Sequence, residues 1–168
     1  MREATSEGPH VRRHLIATLL VLAAGAAPAS AASANGRPAW ATVNVCAPGA
    51  VGVRANAPGD GSDAQMYARL TVQWLNPSSG AWEPVEGVPT SPWVSAGSAR
   101  QLQGQSGWTF EFEPPPAGTV FRIRGRAEIE WRGGGSHLGR QSLVTTGGLA
   151  GVDEGQPPGT SLAACSQG

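Results

Sequence analysis

The 168-residue sequence contains no lysine, so its twelve basic side chains other than histidine are all arginines. This absence excludes chemistry that needs a lysine amine, such as a Schiff base or the lysine of a phosphate-binding loop. The arginines are balanced by twelve acidic residues, and the formal net charge of zero gives no general basic field that would attract phosphates. We therefore expect no nucleic-acid partner.

Long apolar runs are also scarce, and the clearest one lies near the start of the sequence. Arg12 and Arg13 precede the stretch 15–27, in which Thr18 is the only polar residue. This stretch is shorter than the roughly 20 residues that cross a bilayer as a helix. Small residues that fit a cleavage site follow it, so residues 1–34 are predicted to be a secretory signal peptide. The alternative is a short, uncleaved membrane anchor.

Cysteine is limited to Cys46 and Cys165, and both follow the predicted signal peptide. We expect the mature protein to be extracellular or in the cell envelope, with no stable membrane span. Because that compartment is oxidising, the two cysteines are predicted to form a disulfide. The bond would close a long loop, for which the chain-entropy model gives about 4–5 kcal/mol of stabilisation at best. A shared metal site would need more ligands than two cysteines and one histidine.

Apolar and polar residues alternate after the signal peptide with the period of two that is typical of half-buried strands. The alternation is clearest in 120–131, where mostly charged residues separate small and apolar ones. No stretch of ten residues keeps a helical period. The other predicted strands are 41–45, 51–55, 66–75, 82–85, 108–113 and 142–146.

Gly- and Pro-rich turns, such as 114–118, connect these segments. Seven short strands at this spacing predict an all-β fold, an antiparallel β-sandwich. We assign residues 35–147 to the sandwich. Residues 148–168 are predicted to form a strandless, Gly- and Pro-rich tail that the Cys46–Cys165 disulfide holds against it.

The order of the segments resembles that of immunoglobulin-like and fibronectin type III sandwiches. A long strand, a glycine-containing turn and a tryptophan precede a Trp/Phe strand, a proline-rich corner and a long aromatic strand. The Trp-Glu-Pro-Val and Gly-Trp-Thr-Phe segments resemble those of small secreted proteins of high-GC actinobacteria. The resemblance covers most of residues 40–147 and implies the sandwich fold, but it carries over no functional residue. The chain departs from a true immunoglobulin domain because neither cysteine lies on the two central strands.

Residues that carry enzyme chemistry are few. His137 is the only histidine after residue 34, and the sequence has no nucleophile elbow, His-Glu-x-x-His or phosphate loop. The pairs Glu111/Glu113 and Glu128/Glu130 have the residue type of a glycoside hydrolase. Alternating strands more often place such pairs on a solvated face, opposite arginines. We predict a protein without catalysis or cofactor, and a small glycoside hydrolase is the weaker alternative.

Two loops are predicted to meet at the pole of the sandwich opposite the disulfide. Asp60 and Asp63 lie in the loop after the second strand, and Arg132 and His137 lie in the loop before the last one. Two aspartates and a histidine have the ligand types of a Ca²⁺ or Zn²⁺ site. Aspartate beside glycine is also an ordinary turn former, so we predict no metal here. The loops are instead a candidate site for a protein partner.

Tryptophan is unusually frequent, with six residues against one tyrosine. Trp74, Trp108 and Trp131 fall on apolar strand faces and are predicted to lie in the core. Trp82 and Trp93 lie at a strand start and in a loop, where their rings either cover the open ends of the sandwich or bind flat sugar faces. We therefore predict a secreted, non-catalytic interaction module with a protein or polysaccharide partner. The alternative is a carbohydrate- or cell-wall-binding module that uses Trp82 and Trp93.

Overall fold

The computed structural model describes residues 37–133, 136–149 and 155–168. The predicted signal peptide, residues 1–34, lies outside the described residues. Within the described ranges the chain forms nine β-strands and no helix. No helix in this part of the chain is therefore long and apolar enough to cross a membrane.

The strands follow one another along the chain with turns and short loops between them. They are β1 (Trp40–Ala47), β2 (Ala50–Pro58), β3 (Gln65–Leu75), β4 (Trp82–Pro84), β5 (Val94–Ser98), β6 (Gln103–Glu111), β7 (Phe121–Gly133), β8 (Ser136–Val144) and β9 (Cys165–Gln167).

Two antiparallel sheets face each other across the core. The smaller sheet has the order β1-β2-β6, and the larger sheet has the order β4-β3-β7-β8. In the larger sheet, β5 continues beside β3 in line with β4, and β9 continues beside β7 in line with β8. The all-β fold with two antiparallel sheets is confirmed.

The core contains the inward-facing half of each long strand, as the period of two predicts. The inward residues of β3 and β7 are small or apolar and almost fully buried, and they face Val51 and Val53 of β2. The two sheets lie close together at Gly125, where an added Cβ would lie 2.6 Å from both γ-carbons of Val53. The small residue at this position is therefore required by the packing. The buried residues that face inward from β3 and β7 are Met66, Ala68, Leu70, Val72, Ile123, Gly125, Ala127, Ile129 and Trp131.

The C-terminal segment is not strandless, which corrects the sequence-based prediction. β9 pairs with the start of β7, and residues 156 and 162 form bridges to β1. Cys46 and Cys165 form the predicted disulfide, with their Cα atoms 5.5 Å apart. β9 was missed because three residues are too few to show a period. β5 was missed because Val94 and Ala96 are its only apolar residues apart from glycine, which is too few to show a period.

Gln167 ties this C-terminal strand to the turn between β1 and β2. Its Nε2 donates hydrogen bonds to the carbonyl oxygens of Ala47 at 2.8 Å and Ala50 at 3.4 Å. Its Oε1 accepts one from the backbone amide of Gly49 at 3.0 Å. Gln167 is 2% exposed, so these bonds satisfy a buried carboxamide. The turn, the disulfide and β9 therefore form one connected end of the molecule.

Two other predictions about burial were wrong. Trp108 was assigned to the core, and it stands opposite Val53 on the inner face, but it is 42% exposed. The reason is that β6 is an edge strand of the smaller sheet and pairs there with β2 alone, which leaves the ring partly uncovered. Glu130 was assigned to a solvated face but is 0% exposed, because side chains from β7 and β8 cover it. The limits of all seven predicted strands also differ by at least one residue. The largest differences are at β6 and β8, which were predicted at 108–113 and 142–146.

Candidate functional site

The outer face of the larger sheet concentrates the positive charge of the protein. Six of the nine arginines that follow residue 34 occupy outward positions on β3, β7 and β8. The outward glutamates on these three strands, as described, are Glu128 and Glu130. The face is therefore positive although the whole sequence is neutral. The six arginines are Arg69, Arg122, Arg124, Arg126, Arg132 and Arg140.

The carboxylate of Glu130 is the centre of a charged cluster on this face. Arg132 donates a hydrogen bond from Nε to Glu130 Oε2 at 2.8 Å, and Arg140 donates one to Oε1. His137 Nδ1 lies 3.1 Å from Glu130 Oε2. Burial raises the pKa of Glu130. The hydrogen bonds from Arg132 and Arg140 and the positive charge of Arg140 together lower this pKa by more than burial raises it. The pKa of Glu130 therefore lies below its ordinary value, and the group is an anion at neutral pH.

A series of stacked cations and rings extends from this cluster. The guanidinium carbon of Arg132 lies 4.6 Å from the ring centroid of Tyr67 and 4.5 Å from that of Trp93. The guanidinium carbon of Arg69 lies 4.9 Å from the same Trp93 ring. Arg69 in turn pairs with Glu128 at 2.7 Å. These contacts hold both guanidinium groups in defined positions on the sheet.

A second stack lies further along the sheet, at β4. The guanidinium carbon of Arg124 lies 4.5 Å from the Trp82 ring centroid, and its Nε donates to Gln73 Oε1 at 3.0 Å. Burial, followed by the positive charge of Arg126, lowers the pKa of Arg124. Trp82 and Trp93 are therefore half-buried rings that each lie against an arginine. They do not form the fully exposed platform that stacking on a sugar would favour.

A groove of about 270 Å³ lies between the two stacks. Arg69, at one end, belongs to the Trp93 stack, and Gln73, at the other, contacts the arginine of the Trp82 stack. The two residues are roughly 13 Å apart along β3, at about 3.3 Å per residue. The wall between them is partly polar and partly apolar. The remaining lining residues are Thr71, Val72, Pro84, Val88, Thr90, Arg126 and Glu128.

Asp60 and Asp63 take part in local contacts. Hydrogen bonds from the hydroxyl and the backbone amide of Ser62 lower the pKa of Asp60, and the amide lies 2.9 Å from Asp60 Oδ1. Asp63 pairs with Arg100, and both side chains are largely exposed. Among residues 37–133, 136–149 and 155–168, no three His, Cys, Asp or Glu side chains are grouped so as to hold a metal ion. The residues of the two predicted loops therefore make separate contacts. Arg132 and His137 contact Glu130, whereas Asp60 and Asp63 contact Ser62 and Arg100.

A second concave site lies at an open end of the sandwich, and sequence reasoning missed it. The pocket has a volume of about 390 Å³. The rings of Trp74 and Phe121 meet edge to face in its wall, with centroids 5.5 Å apart. The signal in the sequence was the placement of large aromatic residues at the ends of three different strands. The residues that line the pocket are Trp74, Val85, Glu86, Phe112, Glu113, Phe121 and Ile123.

Comparison with known proteins assigns no role to these two surfaces. The sequence matches no protein-family model, and no curated protein matches it significantly.

Proposed function

We propose that the chain is a secreted, non-catalytic interaction module that binds an anionic partner through the outer face of its larger sheet. The observation that carries this proposal is the six arginines, against two glutamates, on the outward positions of β3, β7 and β8. A surface with a net positive charge on a molecule of balanced charge attracts an anionic partner and orients it during encounter.

The arginines are suited to recognition because several are held in place before a partner arrives. Arg132 and Arg69 contact Trp93, and Arg124 contacts Trp82. Binding then costs less side-chain entropy than it would with freely rotating arginines. Arg122 and Arg126 are exposed on the same face and are available to a ligand.

Secretion and the immunoglobulin-like assignment belong to the same proposal. The Cys46–Cys165 disulfide supports an oxidising compartment, as does the predicted signal peptide in residues 1–34. The orders β1-β2-β6 and β4-β3-β7-β8 support an immunoglobulin-like sandwich, in which the first, second and fifth of seven main strands share one sheet. The extra strands β5 and β9 lengthen the larger sheet without changing that order.

The carboxylate pairs do not favour the hydrolase alternative. Glu111 and Glu113 are both exposed near the end of β6. Glu128 and Glu130 are paired with arginines, and the pKa of Glu130 is lowered. A general acid of a glycosidase needs a raised pKa instead.

The test uses the full chain, exported to an oxidising compartment, and a sensor surface coated with poly-L-glutamate. We expect Arg122→Gln/Arg126→Gln to weaken binding by about fivefold to tenfold, because it removes two exposed charges from the face. Arg37→Gln/Arg54→Gln is the matched control: it removes the same charge on the side of the smaller sheet. Binding should weaken as salt rises. Equal effects of the two double variants, or no binding by the wild type, would disprove the proposal.

A polysaccharide ligand is the second candidate, and the groove between the Trp82 and Trp93 stacks favours it. The groove offers hydroxyl, amide and guanidinium groups, which suit a sugar chain. Its end residues Arg69 and Gln73 connect it to the Trp93 and Trp82 stacks. Retention on insoluble polysaccharides and on cell walls tests this candidate. Trp82→Ala/Trp93→Ala should abolish retention, whereas Trp108→Ala removes an exposed ring from the other sheet and should not. Retention that survives the loss of both tryptophans would exclude this candidate.

A further inference from the structure

We propose that the aromatic pocket at the open end of the sandwich binds a quaternary ammonium group. This site is separate from the arginine-rich face, and the inference goes beyond the interaction proposed for that face. The rings that line the pocket, the charge at its rim and its volume each favour such a ligand.

Three aromatic rings from three separate segments converge on the pocket. Trp74 lies on β3, Phe112 directly follows β6, and Phe121 begins β7. The planes of Trp74 and Phe121 are inclined by 65° to each other, so the two rings form adjoining walls. The negative faces of aromatic rings attract a cation within about 6 Å, and tryptophan does so most strongly. A cation held here would contact more than one ring.

The charge of the rim also favours a cation. Glu86 and Glu113 line the pocket from different loops, and both are exposed. The lining of the pocket, as described, includes no arginine or histidine, in contrast to the outer face of the larger sheet. Two carboxylates at the mouth would repel an anion, and a neutral apolar ligand would gain nothing from them.

The apolar walls distinguish a quaternary ammonium from a primary one. Val85 and Ile123 complete the lining beside the rings. A primary ammonium keeps a strong hydration shell and needs hydrogen-bond acceptors around it. A trimethylammonium group has no N–H to satisfy and presents methyl groups to the walls, so it loses little on leaving water. The volume of about 390 Å³ is within the range of small-molecule sites.

The walls of the pocket are fixed by the fold. The backbone amide of Phe112 donates to the carbonyl of Gly49 at 3.0 Å. Phe121 pairs with Gln167, and Ile123 pairs with the disulfide-bonded Cys165. The disulfide-bonded end of the molecule therefore supports two of the lining residues, and the site is formed before a ligand binds.

The test is a calorimetric titration of the full, oxidised chain with choline. The control ligand is 3,3-dimethylbutanol, which has the same shape as choline but carries no charge. We expect choline to bind saturably and dimethylbutanol to bind at least tenfold more weakly, because the charge provides most of the attraction. Equal binding of the two ligands, or no binding of choline, would overturn the proposal.

Two variants locate the site. Phe112→Leu keeps an apolar side chain but removes a ring, and we expect choline to bind about tenfold more weakly. Glu86→Gln/Glu113→Gln changes two exposed side chains, cannot disrupt the core and should also weaken binding. Trp108→Leu removes an exposed ring elsewhere and is the control. Unchanged choline affinity in both pocket variants would overturn the proposal even if the wild type binds.

The quaternary ammonium could come from a free metabolite or from a lipid headgroup, and a second arm distinguishes these sources. Phosphatidylcholine vesicles are sedimented with the wild type and with Phe112→Leu. Binding of vesicles that the variant loses would identify a headgroup, and binding of choline alone would identify a free ligand. Both results support the site. Vesicle binding that Phe112→Leu retains, together with no binding of choline, would refute it.

Discussion

Arg132 donates a hydrogen bond from Nε to Oε2 of Glu130, two residues earlier on β7, at 2.8 Å. Both side chains lie on the outer face of the sheet, and the same arginine contacts the rings of Tyr67 and Trp93. A buried acid therefore holds a cation that is itself stacked on two aromatic rings. The stability of this part of the sheet should depend on the charge of Glu130.

Removing that charge is expected to destabilise the protein. Glu130→Gln keeps the volume but leaves Arg132 and Arg140 without their counterion, so the free energy of unfolding should fall by about 2 kcal/mol. The expected loss is moderate because both arginines are partly exposed and can form hydrogen bonds with water instead. Urea titration of the two proteins measures the difference. Glu128→Gln removes the acid of a half-exposed pair with Arg69, so it should lower the free energy of unfolding by less than about 1 kcal/mol. A loss equal to or larger than that of Glu130→Gln would contradict this account.

The lowered pKa of Glu130 also predicts how stability depends on pH. In the unfolded chain Glu130 has an ordinary glutamate pKa of about 4.3. Because its pKa is lower in the folded state, its contribution is complete above the unfolded value and is lost as the pH falls through the folded value. Asp60, whose pKa is also lowered, contributes in the same direction.

The contribution of Glu130 can be isolated by comparing two proteins. The difference in the free energy of unfolding between wild type and Glu130→Gln should be constant near neutral pH and should shrink below about pH 4.3. Chemical denaturation at several acidic pH values measures this difference. If the difference in the free energy of unfolding stays constant down to the lowest pH, the carboxylate is not selectively stabilised in the folded state.

The sequence pattern could locate the sheet faces but not the partners across them. The alternation in β3 and β7 predicted which side chains face the core, because strand geometry alone decides that. It could not predict that Glu130 is buried, since Arg140 and His137 approach it from β8. The same limit applies to the aromatic pocket, whose residues Trp74 and Phe112 meet only in the folded chain. Local periodicity gives the direction of a side chain, whereas its burial depends on distant segments.

The close approach of the two sheets at Gly125 gives a third prediction. An added methyl group would lie 2.6 Å from both γ-carbons of Val53 and 2.7 Å from Cγ2 of Thr145. Gly125→Ala should therefore lower the free energy of unfolding by about 1–3 kcal/mol through overpacking. Thermal and urea unfolding measure the loss.

Two further variants test the cause of that loss. Gly125→Ala/Val53→Ala removes the clashing γ-carbons, so its effect should be smaller than the sum of the single effects. Gly139→Ala is the control, because its nearest contact would be an ordinary 3.7 Å from the Trp131 ring. If Gly139→Ala costs as much as Gly125→Ala, the distance between the sheets is not the cause.

The Gln167 carboxamide gives the last prediction, because its oxygen and nitrogen have different partners. Nε2 donates to the carbonyls of Ala47 and Ala50, and Oε1 accepts from the Gly49 amide. Gln167→Glu has nearly the same shape but places a carboxylate oxygen against two carbonyl oxygens in a buried site. We expect the free energy of unfolding to fall by about 2–4 kcal/mol at neutral pH.

The pH dependence of this variant separates electrostatics from shape. Burial and the facing carbonyls favour the neutral acid, which has an O–H to donate, so the pKa of the new glutamate should be raised in the folded state. As the pH falls, the new glutamate becomes protonated first in the folded state. The loss in the free energy of unfolding should therefore shrink as the pH falls toward the ordinary pKa of glutamate. Gln105→Glu, at an exposed position on β6, should show little penalty at either pH. A loss for Gln167→Glu that does not change with pH would mean that the new side chain fails to fit, and that the donor role of Nε2 is not what holds the β1–β2 turn against β9.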